Sequence, residues 1–152
     1  MEPIIAELDY MILAGTPQFG SREDICPSMS WKRLETIKKK LTNVINPDVI
    51  HGLSLLMPAY KNDKKFYYMA SLQVEDVENV PIDFFIKIIP HSKYAIFDIP
   101  DGDHAKMFEA YRYAYEEWFP ESSYEEAWPY NFESVNTTDG SIKVHIPIKE
   151  KG

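Results

Sequence analysis

The feature that most restricts the fold is an order of apolar periodicities that occurs twice: a period of two, then three to four, then two again in a pair of runs. Ile4 to Ala14 alternates loosely and stops at Gly15-Thr16-Pro17, which predicts a strand and a turn. Ser30 is a plausible helix cap. Trp31, Leu34, Ile37, Leu41, Val44 and Ile45 then recur at three-to-four spacing, predicting an amphipathic helix that ends before Asn46-Pro47. Ile50 to Met57 and Lys65 to Val74 are short apolar runs across a polar loop at 58–63, which reads as a hairpin.

The same plan then returns. Lys93 to Ile99 predicts a strand, and Pro100-Asp101-Gly102-Asp103 a turn and helix cap. Phe108, Tyr111, Tyr115 and Trp118 or Phe119 form the apolar stripe of a helix that stops at Pro120. Trp128 to Val135 and Ile142 to Ile148 are the last two strands, joined across 136–140. The segment from Glu75 to Phe85, acidic and broken by Pro81, is the connection between halves.

Two strand-helix-strand-strand units, about 1–78 and 88–149, predict a duplicated α+β fold whose antiparallel sheets carry their helices on one side. At 152 residues one domain is expected over the whole chain, 1–152.

Charge excludes several functions. Sixteen basic against twenty-four acidic residues give a net charge of -8, and the short runs Lys38-Lys39-Lys40 and Lys64-Lys65 form no basic stripe. Direct nucleic-acid binding is therefore not expected, and a cationic ligand is mildly attracted. One cysteine, Cys26, excludes an internal disulfide. With no basic-then-apolar leader at 1–12 and no apolar run near eighteen residues, a cytoplasmic protein without membrane association is expected. His51, His91, His104 and His145 show no metal-ligand spacing, no phosphate loop or nucleophile elbow occurs, and so neither a metal nor a cofactor is expected. His145, flanked on its strand by Lys143 and Lys149, reads as exposed.

The second half carries a resemblance. The run IPHSKYAIFDIPDG, a helix leading into EEWFPESSYE, then NFESV and finally KVHIPIK resembles the GyrI-like small-molecule-binding family, the effector-binding domain of AraC-type and multidrug-sensing transcription activators. Pro90, Tyr94, Ala95, Phe97, Gly102, Trp118, Pro120, Ser122, Tyr124, Glu125, Phe132, Glu133 and Ile146 to Lys149 carry it. Ala14-Gly15, Trp31, Gly52, Tyr68, Ala70 and Val74 fit the first half more loosely, and the free-standing chain looks like the single-domain members. The resemblance implies a concave, aromatic-lined cleft between the units with an acidic residue at its base, which here is Glu133. Val135 departs from the pattern, standing where the family has tyrosine, and Gln73 stands where the first half often has glutamate.

If Phe132 packs under the second helix, strand alternation sends Glu133 to the opposite face, which would then be the cleft. A solvated strand glutamate is the alternative. Trp118 and Trp31, closing and opening their helices, are candidate walls, with core packing as the alternative for both. Tyr67, Tyr68 and Tyr94 offer hydroxyls, although parity lets only one of Tyr67 and Tyr68 reach a ligand. A desolvated carboxylate among rings favours flat, apolar cations, so the leading expectation is a small-molecule-binding protein. The resemblance also leaves open a hydrolase of cyclopropane-bearing genotoxic compounds with Glu133 as general base, and a protein partner as in gyrase inhibition.

Overall fold

The computed structural model describes all residues from Met1 to Gly152. Its strands are β1 (Ile4–Leu8), β2 (Met11–Gly20), β3 (Val49–Leu56), β4 (Phe66–Val74), β5 (Phe85–Ile89), β6 (Ser92–Ile99), β7 (Tyr124–Glu126), β8 (Tyr130–Asn136) and β9 (Ile142–Glu150). Its helices are α1 (Pro27–Ile37), the single turn α2 (Tyr60–Asp63), α3 (His104–Tyr113) and the short α4 (Phe119–Glu121). All strands join one antiparallel sheet in the order β1-β6-β9-β8-β3-β4-β2-β5, with β7 also on β9. Within it the duplicated units are β2-α1-β3-β4 and β6-α3-β8-β9, and they meet where β3 pairs β8 from Val49↔Asn136 to Leu55↔Tyr130.

The outer strands tie the halves together. β1 pairs β6 from Ile4↔Ile96 to Leu8↔Ser92, and β2 pairs β5 from Met11↔Ile89 to Gly15↔Phe85, in one register without a slip. Residues 4–15 and 85–96 are thus two long strands of a single ribbon, bent at Asp9-Tyr10 and Pro90-His91. The alternation from Ile4 to Ala14 belongs to that bent strand. Its partner β5 begins at Phe85, the last residue of the segment read as a plain connection. Only two residues separate Leu8 from Met11, a span of at most about 11 Å, so the two ends of the sheet are drawn together. The sheet curls around one face, where Leu13, Leu53, Met69, Ile89, Tyr94, Tyr130 and Phe132 form a core drawn from both halves.

The other face carries the helices and its core is split. Under α1, against its Leu34, lie Ile12, Ala14, Ile50, Leu72 and Val74. Under α3 lie Ala95, Phe97, Ile99, Val144, Ile146 and Ile148. A seam runs between the two clusters along β3 and β8.

The helix boundaries have local causes. α1 starts earlier than Ser30: Pro27 takes the first turn, where its missing N–H costs nothing, and Ser30 is buried, accepting from Gln18 Nε2 at 2.6 Å. α3 begins as read, the Asp103 side chain accepting from the Ala105 N–H at 2.8 Å. From Ala114 to Trp118 the helix widens into a π-turn. The buried line on α3 is therefore Ala110, Ala114 and Trp118 with Met107 beside it, whereas Phe108 of the expected stripe is 60% exposed.

His145 is a second correction. It is 7% exposed and stacks on Phe132 with ring centroids 4.3 Å apart, because β9 lies between β6 and β8 and its inner face looks into the shared core. Burial pushes both His145 and His51 down to about 4. No helix is long and apolar enough to cross a membrane.

Candidate ligand-binding site

The seam is floored by one row of residues. Ala70, Gly52, Glu133 and Val144 lie side by side on β4, β3, β8 and β9, and cross-strand partners share a face. Glu133 is thus the one charged residue in a small, apolar floor between α1 and α3.

The sequence expectation had the faces reversed. Phe132 is opposite His145 and joins the inner core, while Glu133 is opposite Val144, on the face that α3 covers. Alternation along β8 holds, and Phe132 occupies the inner core and not the one under the second helix. Glu133 reaches the seam because it lies under the helices rather than away from them.

Three aromatic side chains converge on it. The Tyr111 hydroxyl, reaching down from α3, donates to Glu133 Oε1 at 2.8 Å and lies 3.2 Å from Asn131 Oδ1. On the other side Trp31 Nε1, from α1, donates to the Tyr68 hydroxyl at 2.7 Å. A methyl group on Gly52 would sit 2.6 Å from that hydroxyl and 3.2 Å from Glu133 Oε2, so glycine leaves the only room at the floor for both.

No lysine, arginine or histidine pairs with Glu133; the protein's ion pairs serve outer acids such as Asp83, Asp98 and Glu109. Burial disfavours its charge and pushes it up to about 7, the Tyr111 hydrogen bond recovering only part of the loss. Tyr111 and Tyr68 are held above the ordinary phenol value, first by burial and then by the nearby Glu133 charge. The arrangement is a half-ionised carboxylate without a countercharge, walled by rings.

Of the expected site residues, Glu133, Tyr68 and Trp31 come together. Tyr67 and Tyr94 do not join them. Tyr67 lies on the other side of β4, its ring 4.6 Å from Phe19, and Tyr94 is buried in the inner core with its hydroxyl 2.6 Å from that of Tyr130. Trp118 packs in the core under α3, stacked on Tyr124 and edge-on to Phe97. The π-turn explains this, since its wider step swings Trp118 off the stripe shared by Tyr111 and Tyr115. Tyr111 and Asn131 were missed. Their signal was the match of Tyr111 and Tyr115, four apart on a helix, to Asn131 and Glu133, two apart on a strand.

The family model for integron-associated effector-binding proteins matches residues 4–148. The chain belongs to that family. Membership makes it a small-molecule effector-binding protein and agrees with the GyrI-like resemblance. Solved structures share the fold at low identity. The protein SAV2435 bound to tetraphenylphosphonium aligns with a TM-score of 0.74 at 18% identity, covering 98% of this chain and 94% of the other. An integron cassette protein from the mobile metagenome of Vibrio cholerae aligns at 0.72 and 12%, covering 97% and 96%. A bacterial transcription regulation protein from Staphylococcus aureus aligns at 0.69 and 20%, covering 98% and 99%. No curated protein matches the chain in sequence.

Proposed function

We propose that this effector-binding protein takes up bulky, flat organic cations in the seam between α1 and α3, with Glu133 as the countercharge and Tyr68, Tyr111 and Trp31 as the walls. The observation that carries the reading is a half-buried carboxylate, hydrogen-bonded by Tyr111 and facing rings, with no cationic partner of its own. A charge in that position is poorly hydrated, and an apolar cation supplies the missing partner without needing much hydration itself. Ring faces add roughly 0.5–2 kcal/mol per cation contact. The tetraphenylphosphonium complex of SAV2435, which has the same fold, supports this ligand class.

Glu133, Tyr111 and Trp31 are half-buried and leave the seam open to approach, and a bulky ligand gains further room if Tyr68 or Tyr111 swings aside. The Tyr68 hydroxyl is held by one hydrogen bond, from Trp31, contributing about 1 kcal/mol, whereas Tyr111 touches both Glu133 and Asn131, so Tyr68 is the wall that a ligand covering Glu133 displaces more easily.

Calorimetric titration with tetraphenylphosphonium tests the proposal. Glu133→Gln keeps the shape and removes the charge, and should weaken binding at least about tenfold, equivalent to about 1.4 kcal/mol. Tyr94→Phe, altered in the inner core, should bind as the native protein does. Equal affinity in native protein and Glu133→Gln would refute a carboxylate-centred site.

A further inference from the structure

The seam does not end at Glu133. Past Tyr130 the strand is interrupted by a bulge at 127–129 and continues as β7, which pairs the same edge of β9 as β8 does. Glu126 is opposite Ile148, whose side chain lies in the core under α3, so Glu126 faces the helices as Glu133 does. It has no salt-bridge partner, although its neighbour Glu125 is within 3.8 Å of Lys149.

The two carboxylates are joined by a line of polar groups along the flank of the helix. Tyr111 hydroxyl touches both Glu133 Oε1 and Asn131 Oδ1. One turn further on, the Tyr115 hydroxyl lies beside Asn131 and Glu126. Tyr115 remains 37% exposed, and its ring packs at 5.5 Å from that of Phe119. The far end of the seam therefore repeats the elements at its floor in a more open form: an unpaired carboxylate, a tyrosine from the helix, and an accessible ring.

We infer that the seam is a two-point site for elongated dications, with one cationic head on Glu133 and the second on Glu126 beside the accessible ring of Tyr115. The inference rests on the cation-binding reading of Glu133. Their strand partners on β9, Val144 and Ile148, are four residues apart, which places the two anchors roughly 13 Å apart along the sheet. A ligand with two quaternary ammonium heads on a flexible spacer of ten carbons spans that length, whereas a six-carbon spacer falls short. Burial raises Glu126 above the ordinary carboxyl value, as expected of a carboxylate whose partner is yet to arrive.

The experiment compares decane-1,10-bis(trimethylammonium) with decyltrimethylammonium, which has one head and the same chain, and with tetraphenylphosphonium. In the native protein the ten-carbon dication should bind about tenfold more tightly than the single-headed analogue. The six-carbon dication should lose that advantage. Glu126→Gln should abolish it while leaving tetraphenylphosphonium and decyltrimethylammonium unchanged, and Glu133→Gln should weaken all of them. If tetraphenylphosphonium binds but one head serves as well as two, or if Glu126→Gln weakens every ligand equally, the second anchor is refuted and the single-cation site stands. If no cation binds the native protein, both fall together.

Discussion

Lowering the pH from 8 to 6 should weaken tetraphenylphosphonium binding about tenfold, and the cause would be one proton on Glu133. Burial places this carboxyl at about 7, so it is about nine-tenths ionised at pH 8 and about one-tenth at pH 6. The ligand has a permanent charge and no titrating group, and it needs the ionised form. At pH 6 each binding event must therefore release close to one proton, and at pH 8 almost none. Titrations in buffers of different ionisation enthalpy read that number directly. His51 and His145, held down at about 4, do not titrate in this window. Glu133→Gln should bind weakly and without pH dependence. A native affinity that stays flat from pH 6 to 8, or a slope that survives in Glu133→Gln, would refute the reasoning. The unliganded protein should show the matching stability effect. A carboxyl raised from 4.5 to about 7 on folding adds stability that is fully present below 4.5 and is lost as pH rises through 7, about 3 kcal/mol in all.

Three further outcomes follow from neighbouring geometry. Gly52→Ala puts a methyl group 2.6 Å from the Tyr68 hydroxyl, the mobile end of a side chain, so the protein should fold at a cost near 1 kcal/mol in denaturant melts yet lose tetraphenylphosphonium affinity. Gly15→Ala differs, because its methyl group would meet the Ala70 carbonyl at 2.0 Å within the β2/β4 ladder; about 3 kcal/mol or outright failure to fold is expected, read by thermal unfolding. The two inner-core histidines have the opposite pH sign to Glu133. Their stability contribution, about 3 kcal/mol each, is present above 6.5 and is lost as pH falls through about 4, so His145→Phe should reduce the acid sensitivity of unfolding.

The periodicities revealed the units but not the way they are joined. Alternation in Ile142 to Ile148 and the three-to-four spacing after Trp31 are local signals: the strand formed where it pointed, but the helix ends at Ile37, and Val44, expected on its apolar stripe, bridges Val74 instead. The partnership of β1 with β6 and β2 with β5 depends on residues seventy or more positions apart, and no local pattern encodes it. β5 itself, Phe85 to Ile89, lies at an edge with four of its five residues exposed, so its pattern resembles neither a core strand nor a turn. Glu133 was found through the family pattern, and its face was misjudged because alternation says which residues share a side without saying which side the helix takes. Trp118 was misplaced for a different reason: a π-turn changes the helical period in mid-element, and helix geometry assumed from spacing cannot follow it.

The placement of the site follows from duplication in one sheet. Each helix can cover only its own unit, so the inner face closes over a shared core while the outer face is left with a seam where the second strands of the units meet. At that seam there is no third helix to supply apolar cover. The groups there are either small, as at Gly52 and Ala70, or polar and half-buried at a cost, as at Glu133. In a monomeric core such a carboxylate would be an unoffset penalty, and a leucine there would stabilise the fold. Its presence is understandable if part of its interaction energy is left for a ligand. The ribbon of β1-β2 against β5-β6 makes this tolerable, because it fastens the halves on the inner side and frees the seam from holding them together. Glu133→Leu should therefore raise thermal stability while abolishing cation binding. A variant that lost both would show that the carboxylate holds the seam closed rather than waiting for a guest.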